Sequence, residues 1–258
     1  MSFCKEVAMS RLLEGKTAIV TGSGKGLGKA EAIELAKEGA KVTVLARTMA
    51  DVEKTAQEIS SLGGTALPLT CDVREEEQVS AVVRKTVEVF GGVDILVNNA
   101  QIMPMPTKIE DHTVQMQKDI WASGYLGTWL FMKECFPYMK GKDSRIINTC
   151  SVAGHGILTG FSAYGATKEA IRGLTRTAAR DWGEYNIHVN CIAPYGMTPA
   201  AREIIDDATM QGIMDQLILK RIGTPEEVGR LVVFLAGPDA AYMTGNTLSI
   251  DGGMTMVV

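Results

Sequence analysis

Tyr164 and Lys168 stand four residues apart in the stretch SAYGATKEAIRGL, which begins a segment with a helical pattern. On a helix, positions i and i+4 share one face, so the phenol and the ammonium are expected to lie close together. The lysine charge favours the tyrosinate, which makes Tyr164 a candidate general acid or base. A solvent-exposed pair without a chemical role is the commoner case for this spacing, so the rest of the chain must decide.

A second stretch with chemical potential is TGSGKGLGKAEA, a glycine-rich loop that follows an apolar run. Glycines let a backbone approach a pyrophosphate closely, and the N-terminus of the following helix offers unpaired N–H groups. The spacing is T-G-x-x-x-G-x-G and does not match G-x-G-x-x-G. We predict that a dinucleotide binds here, with a plain strand-to-helix turn as the alternative. The predicted contacts are Gly22, Ser23, Gly24, Lys25, Gly26, Leu27 and Gly28.

The end of the second apolar run, VTVLARTMAD, bears on the choice of dinucleotide. Folds that select NAD carry an acidic residue here, which accepts the adenosine ribose hydroxyls. This chain has Ala46 and Arg47 instead, and Lys25 adds a second positive charge in the glycine loop. Two cations without a carboxylate suit a 2′-phosphate, so NADP(H) is predicted in preference to NAD(H). The alternative is that Arg47 only caps a solvated surface.

Short apolar strands and longer helices must position these residues, and the two alternate along the chain. Seven runs rich in apolar and β-branched residues are predicted as strands. They are TAIVTG, KVTVLA, ALPLTCDV, DILVNNA, RIINTCS, HVNCIAP and TLSIDGG. Strands that are apolar throughout and separated by amphipathic helices predict an α/β fold. The expected form is a doubly wound Rossmann domain, a seven-stranded parallel sheet with helices on both faces.

The domain organisation follows from the same rhythm. Residues 1–14 are predicted to be an N-terminal extension and residues 15–258 a single catalytic domain. The rhythm is broken at residues 194–222, which we interpret as an insertion after the sixth strand. In an open α/β sheet the ligand binds beyond the carboxyl ends of the strands. The insertion is therefore predicted to form one wall of the substrate site.

Composition narrows the possible partners and the compartment. The net charge is −4 and no run of Lys and Arg is present, so nucleic acid is not an expected partner. The five cysteines are scattered without a CxxC pair, which favours buried thiols over disulfides or a metal site. No apolar segment is long enough to span a bilayer, and charges interrupt the N-terminal residues. A cytoplasmic protein without a membrane partner is therefore expected.

Six motifs occur in the order and spacing of the short-chain dehydrogenase/reductase family, which the chain resembles over nearly its whole length. They are TGSGKGLG, CDV, NNA, SVAG, YGATK and TGNTLSIDGGM. Ser151 precedes Tyr164 by thirteen residues, the family's usual interval between its catalytic serine and tyrosine. The last motif is similar to that of the 3-oxoacyl-carrier-protein reductases and is shared with hydroxysteroid-type enzymes. The resemblance therefore leaves the substrate open.

The resemblance implies a role for each matched residue. Tyr164 would give a proton to the substrate oxygen as a hydride reaches the carbonyl carbon. Lys168 would assist the phenol, whose free pKa is about 10, and would also grip the nicotinamide ribose. Ser151 would hold the substrate oxygen by a hydrogen bond. Further cofactor contacts are implied for Asp72, Val73 and Asn99.

Three departures from the family pattern stand near the expected active site. Gly124 occupies the position of an asparagine that supports a water beside the catalytic lysine, so we predict a working but altered proton relay. Gln101 replaces the glycine after NNA, and Tyr195 interrupts a Pro-Gly pair after the sixth strand. Two bulky replacements near one ring favour a reshaped pocket over tolerated drift. The predicted pocket residues are Gln101, Met103, His155 and Tyr195, and the predicted cofactor contacts in the altered loop are Pro194, Gly196, Met197 and Thr198.

The leading hypothesis is an NADP(H)-dependent oxidoreductase that interconverts a ketone and a secondary alcohol on a fairly bulky, hydrophobic small molecule by hydride transfer. The runner-up is a 3-oxoacyl-thioester reductase of fatty-acid synthesis, which needs a basic surface for an acidic carrier protein. Lys220, Arg221 and Arg172 are scattered candidates for that surface. A catalytically weakened NADP-binding protein is the third possibility. The resemblance also implies a homotetramer, or a dimer, built on the helices after the fourth and fifth strands.

Overall fold

Seven parallel strands form one sheet within the residues that the structure, a computed structural model, describes: 11–155, 159–195 and 207–256. The strand order is β3-β2-β1-β4-β5-β6-β7. The strands are β1 (Thr17–Thr21), β2 (Lys41–Ala46), β3 (Thr65–Thr70), β4 (Ile95–Asn98), β5 (Ser144–Thr149), β6 (Ile187–Pro194) and β7 (Thr247–Ile250). The predicted seven-stranded parallel sheet is confirmed.

Helices connect the strands and cover both faces of the sheet. They are α1 (Gly26–Lys37), α2 (Met49–Ser61), α3 (Glu76–Phe90), α4 (Val114–Trp121), α5 (Gly127–Met139), α6 (Ser162–Trp182), α7 (Asp207–Gln216) and α8 (Pro225–Ala236). A short π-helical segment (Ala122–Leu126), called the π-turn below, joins α4 to α5. A 3₁₀ turn (Val152–His155) follows β5. None of the described helices combines the length and hydrophobicity needed to cross a bilayer.

Two hydrophobic cores lie on opposite faces of the sheet. On one face α1 packs against α8, and residues such as Leu35 and Val232 are fully buried. On the other face α3, α5 and α6 cover the sheet, with Phe131 at the centre. Every residue of β1 and β5 is buried. Because both faces of these strands are covered, apolar and polar side chains alike are buried along them, and the sequences show no alternation with solvent-facing positions.

Several predicted boundaries differ from those in the structure, and two are informative. The third strand, predicted to continue to Val73, ends at Thr70. Asp72 Oδ1 accepts a hydrogen bond from the backbone N–H of Arg74 at 3.0 Å, an Asx turn that diverts the chain from the strand. Leu13, placed by prediction in the N-terminal extension, is 1% exposed and belongs to the core around α1.

Four of the five cysteines fall within the described residues. Cys71, Cys135, Cys150 and Cys191 are all buried and unpaired, as the scattered spacing predicted. Cys4 lies outside the described residues. The insertion predicted at 194–222 is described at its two ends, the second of which contains α7.

Candidate active site

A cleft of about 790 Å³ opens at the carboxyl edge of the sheet. There β1 lies between β2 and β4, the switch point at which open α/β sheets bind their ligands. Loops after six strands and the start of α6 form the walls, and the volume is typical of a ligand site. The cleft brings together Gly22, Gly24, Lys25, Gly26, Leu27, Arg47, Asp72, Val73, Asn99, Gln101, Met103, Ser151, Tyr164, Lys168, Pro194 and Tyr195.

The glycine loop forms a backbone cradle at the start of α1. Gly22 has φ +68°, and a Cβ there would stand 2.9 Å from Ala100 Cα. A Cβ on Gly28 would stand 2.4 Å from Asn99 Nδ2 and 2.6 Å from Gly22 O. Only glycine fits these positions, and α1 begins at Gly26 with its N-terminus toward the cleft. The cradle fits the pyrophosphate of a dinucleotide.

Ser23 does not line the cleft, although it was predicted as a cofactor contact. Its hydroxyl donates to Val20 O at 2.6 Å and accepts from Leu45 N at 2.9 Å. Its own backbone N–H donates to Leu45 O at 2.9 Å. These three hydrogen bonds consume its polar groups, so Ser23 fastens the glycine loop to β2 instead.

Asn99 lines the cleft, but part of its hydrogen-bonding capacity is also used within the protein. Its Nδ2 donates to Thr21 O at 3.1 Å, and its backbone N–H donates to Thr21 Oγ1 at 2.9 Å. The side chain therefore joins the end of β4 to the end of β1. Its amide oxygen is the group left to face a ligand.

Arg47, Asp51 and Asp72 form one end of the cleft, which we call the Arg47 end. The Asp51 carboxylate lies 3.0 Å from Lys25 Nζ. The sequence at the glycine loop and the end of β2 predicted only positive charges here, whereas the structure adds this carboxylate to the same end of the cleft. Arg47 is exposed and makes no ion pair within the described residues. Hydrogen bonds from Arg74, and more weakly the charge of Arg47, lower the pKa of Asp72.

Tyr164 and Lys168 lie one turn apart on α6, as the spacing predicted. Lys168 is 2% exposed, and its Nζ lies 5.3 Å from the centroid of the Tyr164 ring. The ammonium donates a hydrogen bond to Thr149 O at the end of β5, with a distance of 2.7 Å. Phe161 stands edge-on to the Tyr164 ring at 6.2 Å and supports it from the other side. The exposed-pair alternative is therefore excluded.

Ser151 follows β5 directly and is 9% exposed. Its Oγ accepts a hydrogen bond from Ala153 N at 3.1 Å, which caps the short 3₁₀ turn. Its O–H group donates to none of the described residues, so it can donate to a ligand oxygen in the cleft. The serine thus serves as a cap and remains available for chemistry.

The predicted substrate-pocket residues divide into three groups. Met103 is 57% exposed at the mouth of the cleft. Gln101 packs its side-chain amide against Gly124. Tyr195 is half-buried, and this burial raises the pKa of its phenol. The side chain of His155 and all of Gly196, Met197 and Thr198 lie outside what the structure describes.

Glu31 is a site-proximal residue that the motifs did not reveal. It lies on α1, is 0% exposed, and neither carboxylate oxygen has a hydrogen-bond partner among the described residues. Burial raises its pKa to about 8, and the charge of Lys168 acts in the opposite direction. The sequence offered no clear signal for it, because α1 is buried over most of its surface and its apolar residues do not mark a single inward face.

Known proteins similar to this chain are oxidoreductases of closely related size. A family model described as enoyl-(acyl carrier protein) reductase matches residues 22–255. A 12α-hydroxysteroid dehydrogenase from Clostridium sp. is 36% identical over 261 residues, covering 94% of this chain and 98% of that protein. The 3-oxoacyl-[acyl-carrier-protein] reductase of Vibrio cholerae is 36% identical over 250 residues, covering 95% and 99%.

Solved structures show the same architecture. A dehydrogenase/reductase from Sinorhizobium meliloti superposes with a TM-score of 0.91 at 33% identity, covering 96% of this chain and 98% of that one. A 7α-hydroxysteroid dehydrogenase complexed with NADH and 7-oxo glycochenodeoxycholic acid gives 0.90 at 31% identity, covering 95% and 96%. The likeness extends over the whole described sheet and its helices.

Proposed function

This chain belongs to the short-chain dehydrogenase/reductase family of oxidoreductases that use a nicotinamide cofactor, and from that premise we propose an NADP(H)-dependent ketoreductase. It interconverts a ketone and a secondary alcohol on a hydrophobic substrate. The observation that carries the proposal is the meeting of Ser151, Tyr164 and Lys168 in the cleft that holds the glycine cradle.

The cofactor is held by the backbone of the glycine loop and by the Arg47 end of the cleft. When bound, it supplies or accepts the hydride. The N-terminus of α1 and the backbone from Gly24 to Leu27 line the cleft and would hold its pyrophosphate. Lys168 keeps two N–H donors beyond the bond to Thr149 O, and these grip the nicotinamide ribose hydroxyls.

Tyr164 transfers the proton in the reaction. The phenol gives its proton to the substrate oxygen as negative charge develops there. The nearby Lys168 ammonium stabilises the tyrosinate that remains. The free O–H of Ser151 donates to the same substrate oxygen and holds the carbonyl in line. All three side chains are buried or half-buried, which strengthens these electrostatic effects.

NADP(H) is proposed in preference to NAD(H) because Arg47 is exposed at the end of β2 and has no ion partner among the described residues. A guanidinium binds a phosphate through two parallel charge-assisted hydrogen bonds. Lys25 contributes less than its sequence position implied, since Asp51 neutralises it. The recognition of the 2′-phosphate therefore depends mainly on Arg47.

A bulky, apolar substrate is proposed from the mouth of the cleft. Met103 and Met105 are 57% and 58% exposed, and Phe161 lines the wall beside Tyr164. The loop that carries these methionines is held against the 159–161 segment, because Thr107 N donates to Gly160 O at 2.9 Å. Flexible thioether side chains adapt to apolar ligands of varied shape. Two relatives described as hydroxysteroid dehydrogenases agree with this substrate class.

A 3-oxoacyl-thioester reductase is the second candidate, favoured by the similarity to the Vibrio cholerae enzyme. Its carrier protein would need a basic docking surface. Arg221 is already held by Glu227 at 2.7 Å, and Lys220 donates to Asp215 O at 2.8 Å. Arg172 is paired with Glu169 at 3.1 Å. Each of these three basic residues already bonds to a neighbouring group of the chain. We therefore prefer a reductase of small-molecule ketones to a 3-oxoacyl-thioester reductase.

We also propose that the chain assembles as a homotetramer through α4, α5 and α6. Trp121 and Trp129 are 41% and 40% exposed on this surface, together with Leu126. A hollow between α5 and α6 is lined by Trp129, Phe136 and Trp182. Exposed aromatic side chains around a hollow are typical of an interface between subunits.

The experiment that tests the function follows NADPH oxidation with cyclic, aryl and steroid ketones and with a 3-oxoacyl thioester. Tyr164→Phe is expected to lower kcat by about 10²- to 10⁴-fold while NADPH binding, followed by its fluorescence, is retained. Tyr242→Phe is the matched control, because Tyr242 is fully exposed away from the cleft.

Unchanged turnover in Tyr164→Phe would refute the mechanism. Turnover restricted to the thioester would favour the second candidate. NADPH binding without turnover of any substrate would instead support a cofactor-binding protein with a weakened active site.

A further inference from the structure

Gln101, Gly124 and Thr167 meet in one tight contact beside the cleft. A Cβ built on Gly124 would stand 2.4 Å from Thr167 Cγ2 and 2.7 Å from Gln101 Nε2. Ordinary carbon contacts lie at about 3.5–4.0 Å, so the Gln101 side chain and the Thr167 methyl occupy the space that a side chain at 124 would need. The unusual residues at 101 and 124 are therefore one paired feature of the packing.

The contact joins three segments of the active site. Gln101 follows β4, Gly124 lies in the π-turn, and Thr167 immediately precedes the catalytic lysine on α6. Ser123 Oγ accepts a hydrogen bond at 3.2 Å from the backbone N–H of the residue after Gln101. This bond fastens the Gln101 backbone to the π-turn. The Gln101 side chain thus contributes to the spacing between the π-turn and α6.

The Gln101 amide is buried, and neither its nitrogen nor its oxygen has a hydrogen-bond partner among the described residues. The position of the Gln101 side chain is therefore set by packing and not by hydrogen bonds to the described residues. Burying an unpaired amide is unfavourable, so a purely stabilising role does not account for it. A bulky substrate cannot reach the buried amide atoms, so substrate contact does not account for it either.

We propose that Gln101 is a positioning residue for Tyr164 and Lys168, with its side chain acting as a spacer that fills the space beside the direct contact between the π-turn and α6. The proposal rests on the proposed function, since Gln101 acts through these two residues. Lys168 is 2% exposed, and its Nζ is fixed at 2.7 Å from Thr149 O. A displacement of α6 by about 1 Å would therefore misplace the ammonium and the phenol relative to the substrate.

Four variants of the full chain test the spacer. Gln101→Gly removes it, Gly124→Ala inserts a methyl group into occupied space, and the double variant Gln101→Gly/Gly124→Ala combines the two changes. Gln101→Met keeps the length and volume of the side chain without its amide and is the matched control. For each variant we would measure Tm, the Kd of NADPH and the pH profile of kcat/KM.

Each single variant at 101 or 124 is expected to lower kcat about tenfold or more and to shift the pH profile, with the NADPH Kd changed by less than about threefold. The double variant is expected to lose less activity than the product of the two single losses, because removal of the Gln101 side chain relieves one of the two contacts that the inserted methyl makes. Gln101→Met should stay within about threefold of wild type.

Three results would overturn the proposal: multiplicative losses in the double variant, an unchanged pH profile in Gln101→Gly, or a Gln101→Met variant as impaired as Gln101→Gly. Failure of the proposed function is a separate outcome, in which the wild-type chain reduces no ketone. The spacer is then judged by Tm alone. Non-additive losses of Tm support it and additive losses refute it.

Discussion

Arg47 and Lys25 are the two cations that the sequence predicts for cofactor recognition, and their surroundings differ. Lys25 shares its charge with Asp51 at 3.0 Å, whereas Arg47 projects into solvent at the rim of the cleft. Arg47 also acts on Asp72, whose pKa is lowered chiefly by hydrogen bonds from Arg74. At the scale of single residues, then, the preference for NADP(H) depends on one guanidinium.

Arg47→Ala is expected to weaken NADPH binding by about 10- to 100-fold, because a charge-assisted hydrogen bond to phosphate is lost. NADH binding should change by less than about threefold, since NADH carries no 2′-phosphate. Titration of both cofactors by fluorescence measures the two constants. Lys25→Ala is the control and should cost less NADPH affinity; equal losses of NADPH and NADH binding in Arg47→Ala would contradict the assignment.

Glu31 is expected to make stability fall as pH rises. Burial raises its folded-state pKa to about 8 from the ordinary glutamate value of 4.5, and the positive charge of Lys168 only partly opposes this. Between these values the unfolded chain releases a proton that the folded chain retains, so unfolding becomes easier with increasing pH. The loss amounts to about 5 kcal/mol at most and is complete above the folded-state pKa.

Urea unfolding of wild type and Glu31→Gln between pH 5 and 9 tests this expectation. The glutamine cannot ionise, so its unfolding free energy should decline less across the interval than that of the wild type. Glu34→Gln is the control on the same helix, where Glu34 pairs with Lys37 at 2.6 Å near the surface. Parallel curves for wild type and Glu31→Gln would show that the buried carboxyl does not titrate in this way.

At the scale of elements, Gly28 in α1 and Gly173 in α6 have opposite surroundings. A Cβ on Gly28 would collide with Asn99 Nδ2 and Gly22 O, which hold the cradle to the end of β4. A Cβ on Gly173, in the middle of α6, would meet no atom within 4 Å. The same substitution by alanine should therefore act in opposite directions at the two positions.

Gly28→Ala is expected to destabilise the fold by about 1–3 kcal/mol through overpacking and to weaken dinucleotide binding. Gly173→Ala should stabilise it by about 0.5–1 kcal/mol, because alanine loses less backbone entropy in a helix. Thermal unfolding and NADPH titration of both variants provide the comparison. A stabilised Gly28→Ala variant would show that the cradle is looser than these contacts imply.

At the scale of the whole molecule, the aromatic surface of α4 and α5 distinguishes an isolated chain from an assembly. Trp121 stacks on Tyr125 with ring centroids 4.8 Å apart, and Trp129 stands nearby with 40% exposure. The native mass in light scattering is expected to be four times the 27.7 kDa subunit mass. An exposed surface of this kind is costly unless another subunit covers it.

Trp129→Arg is expected to lower the native mass and to reduce Tm, because it places an unpaired charge in the proposed interface. Trp129→Phe keeps an aromatic ring and should retain the assembly. A wild-type chain that is monomeric at micromolar concentration would refute the proposed tetramer. An unchanged native mass in Trp129→Arg would show that Trp129 lies outside the subunit interface.

The fold and the position of the cleft were predictable because their signals are local. Strand composition and helix periodicity determine the alternation of elements, and right-handed crossovers then leave few ways to order a parallel sheet. The spacing of Tyr164 and Lys168 on one helix face is likewise a local property. The glycine loop was recognised from its spacing between a strand and a helix, whereas the contacts that exclude a Cβ there come from Asn99, Ala100 and Asp51.

Other features were decided between segments far apart in the sequence. Ser23 was predicted to touch the cofactor, but Val20 and Leu45 use its polar groups. Lys25 was predicted as a free charge, but Asp51 comes from the start of α2 to neutralise it. A sequence shows which hydrogen-bond donors and acceptors exist. Only the packed structure shows which of them already bond to other segments of the chain.

The amino-acid sequence by itself determined the seven-stranded parallel sheet, the Tyr164–Lys168 pair on one face of α6 and the cradle before α1, because short-range sterics and periodicity control them. The tertiary structure alone decided that Gln101 fills the space over Gly124 and that Glu31 is buried without a partner. Those outcomes depend on which side chains meet across the sheet edge. Such meetings are properties of three-dimensional packing, for which chain spacing carries no signal.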